Sequence, residues 1–368
     1  MSEGTPAPWE LLFPQPRDPV RSTTLHLRLM RKHGEPLLLL PSKNPAAAAA
    51  LALYPAQTFK ARLARAALGL LQNFGLQPGT TPVALQLDPD SPFVKFLTPP
   101  GSRIEDLNLA ILLGNPFTAG RRFVLLVFDR DGQPVRVVKA GVGSDRALEL
   151  LQHEIQFLKT VPPSVLRSPA MQNTYAAPGL AAVALDYIPG PTPRAGDTSS
   201  VPEILESWLS RETTVRFGDL PAARRLAEGA RTDDATRRAL EKLNEVRLRT
   251  AIHHGDFARW NIRVNSTTRR WVVLDWERGE SAGPPAWDWF HFILQPEILV
   301  RRASPEAVLA RAEELQRDPA FLRYAALAGI ESNLPTLLLG YAIHCRDITR
   351  QTEGMPTIEA LVELVQSR

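Results

Sequence analysis

Three side chains, Asp256, Asn261 and Asp275, stand at intervals that suit one another chemically. The stretch that holds them reads His253-His254-Gly255-Asp256-Phe257-Ala258-Arg259-Trp260-Asn261, then a turn, then Trp271-Val272-Val273-Leu274-Asp275-Trp276-Glu277. A carboxylate is followed five positions on by a carboxamide, and a second carboxylate ends an apolar run fourteen positions later. Phosphoryl transfer from a nucleotide asks for this set. One Asp accepts the proton of the acceptor hydroxyl, while an Asn and another Asp hold the magnesium ions that neutralise charge on the phosphates. Oxygen ligands suit a small, hard cation that keeps several waters and also binds phosphate oxygens. A surface hairpin with three solvated polar groups is the bland alternative. Order, spacing and the apolar lead-ins Ala251-Ile252 and Val272 to Leu274 all weigh against it.

This stretch resembles the catalytic and metal-binding motifs of the aminoglycoside phosphotransferase and choline kinase-like enzymes, relatives of the protein kinases. Their pattern of His-Gly-Asp, four residues, Asn, and a strand ending Asp-Trp-Glu is met by His254-Gly255-Asp256, Asn261 and Asp275-Trp276-Glu277. Protein kinases carry Arg where Gly255 stands and Phe-Gly after the metal Asp, so both departures point to the small-molecule branch. The resemblance spans residues 105 to 345 and implies an α+β, bilobal, protein kinase-like fold. It implies Asp256 as catalytic base, Asn261 and Asp275 as Mg²⁺ ligands, ATP as co-substrate and a small-molecule hydroxyl compound as acceptor. It gives His254 a structural role in organising the loop, and it makes Asp288 a brace of its lobe. Arg259 either meets the γ-phosphate or acceptor, or forms a salt bridge, since Arg pairs readily with carboxylates. Glu277 either approaches metal or water, or fixes the loop.

The elements that must position these groups begin upstream. Leu109 to Leu113 reads as a strand, Gly114 to Gly120 as a turn, and Phe123 to Phe128 as a second strand. Asp131-Gly132 marks a hairpin into Val135 to Lys139. The turn lacks the Gly-x-Gly-x-x-Gly pattern, but the resemblance implies that Gly114 and Gly120 bound a loop covering the phosphates. Ser144 or Asp145 caps a helix with Leu148, Leu151, Ile155 and Leu158 on its apolar side. Lys139 ends its strand and Glu154 lies fifteen residues further on, the arrangement of a kinase's phosphate-binding lysine and its orienting glutamate. Ala181 to Leu185 is a strand leading to Asp186 and Tyr187, which resemble a kinase hinge whose main chain meets the nucleotide base.

Before these come a hairpin near Gly34, a helix over Phe59 to Phe74 ending at Gly75, and short strands at Val83 to Leu87 and Phe93 to Leu97. They match no motif and are expected to form an α+β extension over 1–103, followed by an amino-terminal lobe and hinge over 104–190. Residues 191–368 are expected to form a mainly helical carboxy-terminal lobe, with helices near Pro202, Pro221, Asp233, Pro305, Phe321 and Thr336.

Composition bounds the rest. The 368 residues carry a net charge of +4, with basic residues scattered in pairs rather than in a stripe, so no nucleic-acid partner is expected. The single Cys345 forms no internal disulfide and suits a reducing compartment. No signal peptide or membrane span is read, and a cytoplasmic location is expected. The sequence says nothing of oligomeric state. A protein kinase is disfavoured because only thirteen positions separate Asp275 from Asp288, too few for an activation loop. A non-catalytic scaffold need not keep Lys139, Glu154, Asp256, Asn261 and Asp275 together. The aromatic run Trp276, Trp287, Trp289, Phe290 and Phe292 is either core or a cation-binding face. With Arg259, Arg263 and Arg278 in and beside the catalytic stretch, a sugar or polyol is expected as acceptor before an aminoglycoside or choline.

Overall fold

Alternating apolar residues in the first half of the chain become strands of a single sheet. The computed structural model describes residues 7–16, 18–42, 45–54, 59–114, 122–349 and 354–367. The chain divides into two compact units, residues 1–156 with 169–188, and residues 157–168 with 189–368.

The first unit is built on β1 (Thr23–Lys32), β2 (Glu35–Pro41), β3 (Thr80–Leu87), β4 (Asn108–Leu112), β5 (Arg122–Phe128), β6 (Pro134–Val142), β7 (Met171–Ala177) and β8 (Leu180–Asp186). They form one eight-stranded antiparallel sheet in the order β3-β1-β2-β4-β5-β6-β8-β7. β2 joins β4 through Leu38 opposite Leu112 and Leu39 opposite Ile111. The sheet therefore crosses the boundary expected near residue 103 without a break. Period-two alternation sends Leu27, Leu29, Leu39, Leu109, Ile111, Leu125 and Val127 to one face. Met30, Leu38, Leu40, Ala110, Leu126 and Phe128 go to the other, under Ala46, Ala50 and Leu51.

One expected strand is a helix. Phe93 to Leu97 lies in Pro92–Leu97, whose first turn holds Pro92 and whose Ser91 hydroxyl accepts from the Val94 amide at 3.5 Å. A short apolar run does not separate strand from helix, whereas a Ser cap followed by Pro does. The β5–β6 hairpin turns as read: Asp129 Oδ1 accepts from the Asp131 and Gln133 amides at 3.0 and 2.8 Å, and Gly132 has φ 76°.

The second unit is mostly helical. Its helices include Val201–Ser207, Pro221–Gly229, Asp234–Asn244, Trp287–Gln295, Pro305–Leu315, Pro319–Ala328, Leu334–Ile343 and Met355–Gln366. It also carries β9 (Leu209–Arg216), β10 (Arg247–His253), β11 (Ile262–Val264), β12 (Trp271–Val273) and β13 (Glu280–Gly283). β10 lies between β9 and β13, and β11 pairs with β12 as a separate ribbon. This α+β composition, a sheet-based unit and a mainly helical one, is the fold class read from the sequence.

Candidate active site

β10 delivers the chain into the stretch from His253 to Glu277, and the helix Trp287–Gln295 follows it. Asp288, in the first turn of that helix, accepts from the His254 amide at 2.7 Å and the Gly255 amide at 3.2 Å. Negative charge is favoured at that end of a helix. Gly255 has φ 78°, and a Cβ there would lie 2.8 Å from Cβ of Arg278. The turn into Asp256 therefore requires glycine.

His254 ties the two halves of the motif together. Its Nδ1 accepts from the Asp256 amide at 3.1 Å, so Nε2 carries the proton and donates to the Leu274 carbonyl at 2.8 Å. Burial holds its pKa below the usual histidine value, in keeping with this neutral tautomer. The Leu274 amide in turn donates to the Asn261 carbonyl at 2.7 Å. With the peptide groups on both sides of Leu274 engaged, the next residue, Asp275, is placed just beyond β12 with φ 68°. Non-glycine residues seldom adopt that left-handed region, although Asp tolerates it better than most.

Asn261 Nδ2 donates to both the main-chain oxygen and Oδ2 of Asp256, each at 2.9 Å. The other carboxylate oxygen, Oδ1, meets His291 Nε2 at 2.8 Å. The Asp256 side chain remains 32% exposed. With its nitrogen spent on Asp256, the Asn261 amide has its oxygen as the atom to offer a cation. Among the described residues no three His, Cys, Asp or Glu side chains gather as a metal site. One carboxamide with one carboxylate is a donor set for an ion that keeps its waters and takes phosphate oxygens, which fits Mg²⁺ rather than a fully caged metal.

In the first unit, Lys139 Nζ lies 2.5 Å from Glu154 Oε1, their side chains 12% and 1% exposed. Lys139 does not end its strand as expected: β6 runs on to Val142, because Ala140 to Val142 keep pairing with β8, and Glu154 projects from the helix Asp145–Thr160. The two elements approach closely at Gly141, where a Cβ would lie 2.7 Å from the Ala147 carbonyl oxygen. Asp186 Oδ1 accepts from Gln172 Nε2 at 2.7 Å, and the Asp186 amide donates to the Ala170 carbonyl at 3.0 Å. Tyr187 packs against the cluster containing Leu38 and Phe128. Gly114 follows β4 with φ 68°. Gly120, the other end of the expected phosphate loop, lies outside the described residues.

Residues 125–339, more than half of the chain, match the family described as the phosphotransferase enzyme family. The chain belongs to that family. Its members transfer phosphoryl groups to hydroxyl acceptors, so this protein is an enzyme of that type. The search of curated proteins found no match. Among solved structures, the chain is similar to an aminoglycoside-3'-phosphotransferase of type VIII, at 17% identity over 60% of this chain and 92% of that one, with a TM-score of 0.36. It is also similar to choline kinase LicA from Streptococcus pneumoniae, at 14% identity over 70% and 93% of the two chains, TM-score 0.41. The aminoglycoside phosphotransferase APH(3'')-Id from Streptomyces rimosus ATCC10970 is 15% identical over 67% and 92%, TM-score 0.38.

In this phosphotransferase the aromatic run after Asp275 is core. Trp276, Trp287, Trp289, Phe290 and Phe292 are all buried, and Trp276 stacks on Phe157 with ring centroids 5.4 Å apart. His253, which carried no signal in the sequence, has Nε2 3.6 Å from Asp288 and Nδ1 3.9 Å from Glu280, and Glu280 also pairs with Arg225 at 2.5 Å. Burial alone would lower the His253 pKa, but Asp288 and Glu280 outweigh it and raise it above the usual value. His291 was missed entirely, yet its signal was present. It stands three residues after Asp288 in a helix, a spacing that puts both on one face.

Proposed function

We propose that this phosphotransferase uses ATP with Mg²⁺ to phosphorylate a hydroxyl group of a sugar, polyol or similar small metabolite in the cytoplasm. The observation that carries the reading is the double grip of Asn261 on Asp256. It holds a partly exposed carboxylate beside a carboxamide whose nitrogen is committed to it. On this reading the acceptor oxygen attacks the γ-phosphorus, the bond to the bridging oxygen of the β-phosphate breaks, and the hydroxyl proton passes to Asp256. Carboxylates are weak bases, which suits a transfer that needs the proton only late. Asn261 and Asp275 hold Mg²⁺, which neutralises phosphate charge when bound. Lys139, oriented by Glu154, pairs with phosphate oxygens.

Two observations support the acceptor class. The catalytic stretch offers Arg259, Arg263 and Arg278, whereas a polycationic antibiotic needs spare acids to offset desolvation of its ammonium groups. The neighbouring aromatic rings are packed into the core rather than presented as a cage for a quaternary ammonium. A panel of sugars, polyols, choline and aminoglycosides, read by ATP consumption, tests the reading. Mg²⁺-dependent turnover of a sugar or polyol is expected, with loss of that turnover in Asp275→Ala. Turnover confined to choline or aminoglycosides would overturn the acceptor class. Equal MgATP affinity in wild type and Asp275→Ala would remove the metal assignment.

A further inference from the structure

One face of the helix Trp287–Gln295 carries three polar side chains into the interior, Asp288, His291 and Gln295, at helical positions i, i+3 and i+7. A helix this apolar has no packing reason to bury them. His291 is 3% exposed and Gln295 fully buried. Asp288 already has a task in holding the His254 and Gly255 amides. The other two are joined through Tyr341.

Gln295 Nε2 donates to the Tyr341 hydroxyl at 3.1 Å. That hydroxyl lies 3.3 Å from His291 Nδ1, and His291 Nε2 lies 2.8 Å from Asp256 Oδ1. An amide N–H can only donate, so the tyrosine oxygen accepts from Gln295. Burial keeps that phenol protonated by pushing its pKa well above the usual tyrosine value. A carboxylate can only accept, so Nε2 carries a proton and donates to Asp256. Asn261 donates to the opposite oxygen. Asp256 is thereby gripped at both oxygens, from two different elements, and cannot rotate about its Cβ–Cγ bond.

We infer that His291 is a positioning residue for the phosphoryl transfer: through Nε2–H it fixes the carboxylate of Asp256 in the orientation that receives the acceptor's proton. The inference rests on the reading of Asp256 as base. Each carboxylate oxygen keeps a lone pair after one hydrogen bond, so both grips leave Asp256 able to take the proton. Tyr341, itself held by Gln295, acts behind it by holding the ring in place.

The test uses the full-length protein, MgATP and the acceptor that gives the highest turnover in the panel. His291→Leu keeps bulk and removes the donor; His291→Gln returns an N–H near the position of Nε2; His291→Asn places its N–H about one atom short. A misplaced catalytic group costs on the order of 100-fold, so His291→Leu is expected to lower kcat by about that factor with MgATP affinity unchanged by calorimetry. His291→Gln should recover about tenfold or more of the loss, and His291→Asn should not. In an Asp256→Asn background, His291→Leu should cause no further fall, because both changes act through one carboxylate. Wild-type kcat in His291→Leu would overturn the inference. So would an equal fold-loss from His291→Leu in both backgrounds, the mark of a general packing defect. If His291→Leu does not fold, the comparison of the Gln and Asn variants decides, and equal kcat in those two overturns it. If wild type turns over no acceptor with MgATP, the functional reading itself fails before any variant is compared.

Discussion

His253 shows how a residue without a motif can hold a motif in place. Its imidazole lies between Asp288 and Glu280, and Asp288 in turn holds the amides of His254 and Gly255. Its pKa is raised from the ordinary 6.5, so the folded protein binds that proton more tightly than the unfolded chain does. The stabilisation is therefore complete below pH 6.5 and is lost as pH rises through the higher folded value. Glu280 works in the opposite sense. Burial would raise its pKa, but His253 and Arg225 lower it below 4.5, so its contribution is lost only as pH falls through that depressed value. Melting temperature should thus be highest in mildly acidic solution and decline towards alkaline pH. His253→Gln, neutral at every pH, should flatten that decline, and an unchanged slope would mean that His253 carries no extra proton. At this scale the sequence was legible where a motif fixed the spacing, as at Asp256, Asn261 and Asp275. It was silent at His253, Glu280 and Arg225, because their partners come from β10, β13 and a helix far apart in the chain.

The strand and helix that meet at Gly141 make a second prediction. Lys139 and Glu154 form an ion pair with almost no exposure on the acid, so neither side chain is replaced without leaving the other charge buried. Lys139→Ala and Glu154→Ala should each reduce turnover sharply, while the double variant should fall well short of the product of the two losses. The coupling expected for such contacts is roughly 0.5–3 kcal/mol, and additive effects on kcat would show that the pair does not act as one group. This pairing could be read from sequence because a Lys on an apolar strand and a Glu fifteen residues on, in the helix that follows, leave few ways to meet. Other elements were less legible. Phe93 to Leu97 looked like a strand until its Ser91 cap and Pro92 were weighed together. β7, with no fully buried residue, and β9, in a stretch that looked helical, were not seen at all, since edge strands carry little alternation to read.

Across the whole molecule, the decisive fact is that the sheet does not stop at residue 103. β2 and β4 share hydrogen bonds, and both faces of the sheet draw side chains from either side of that point. The sequence named no motif before residue 103 because strand pairing across some seventy positions leaves no local trace, so a segment read as an α+β extension supplies three of eight strands. Deleting residues 1–103 would bare the edge of β4 and strip cover from Leu109, Ala110 and Ile111, all fully buried. Burying a side chain such as Leu or Ile is worth roughly 1.5–3 kcal/mol, and an open strand edge invites pairing with other chains. The truncated protein is therefore expected to aggregate on gel filtration and lose its cooperative melt. A monomer that melts like the wild type would show that the two halves of the sheet stand alone. The same topology bears on how the protein is made. Translation proceeds at about 5–20 residues per second, so β2 leaves the ribosome roughly 4–14 s before β4 exists to cover it. During that time Leu37 to Leu40 has β1 on one side and nothing on the other. The four residues Leu37 to Leu40 carry no charge of either sign to repel a neighbouring chain. For that interval Leu38, Leu39 and Leu40, fully buried in the finished enzyme, sit on an open edge.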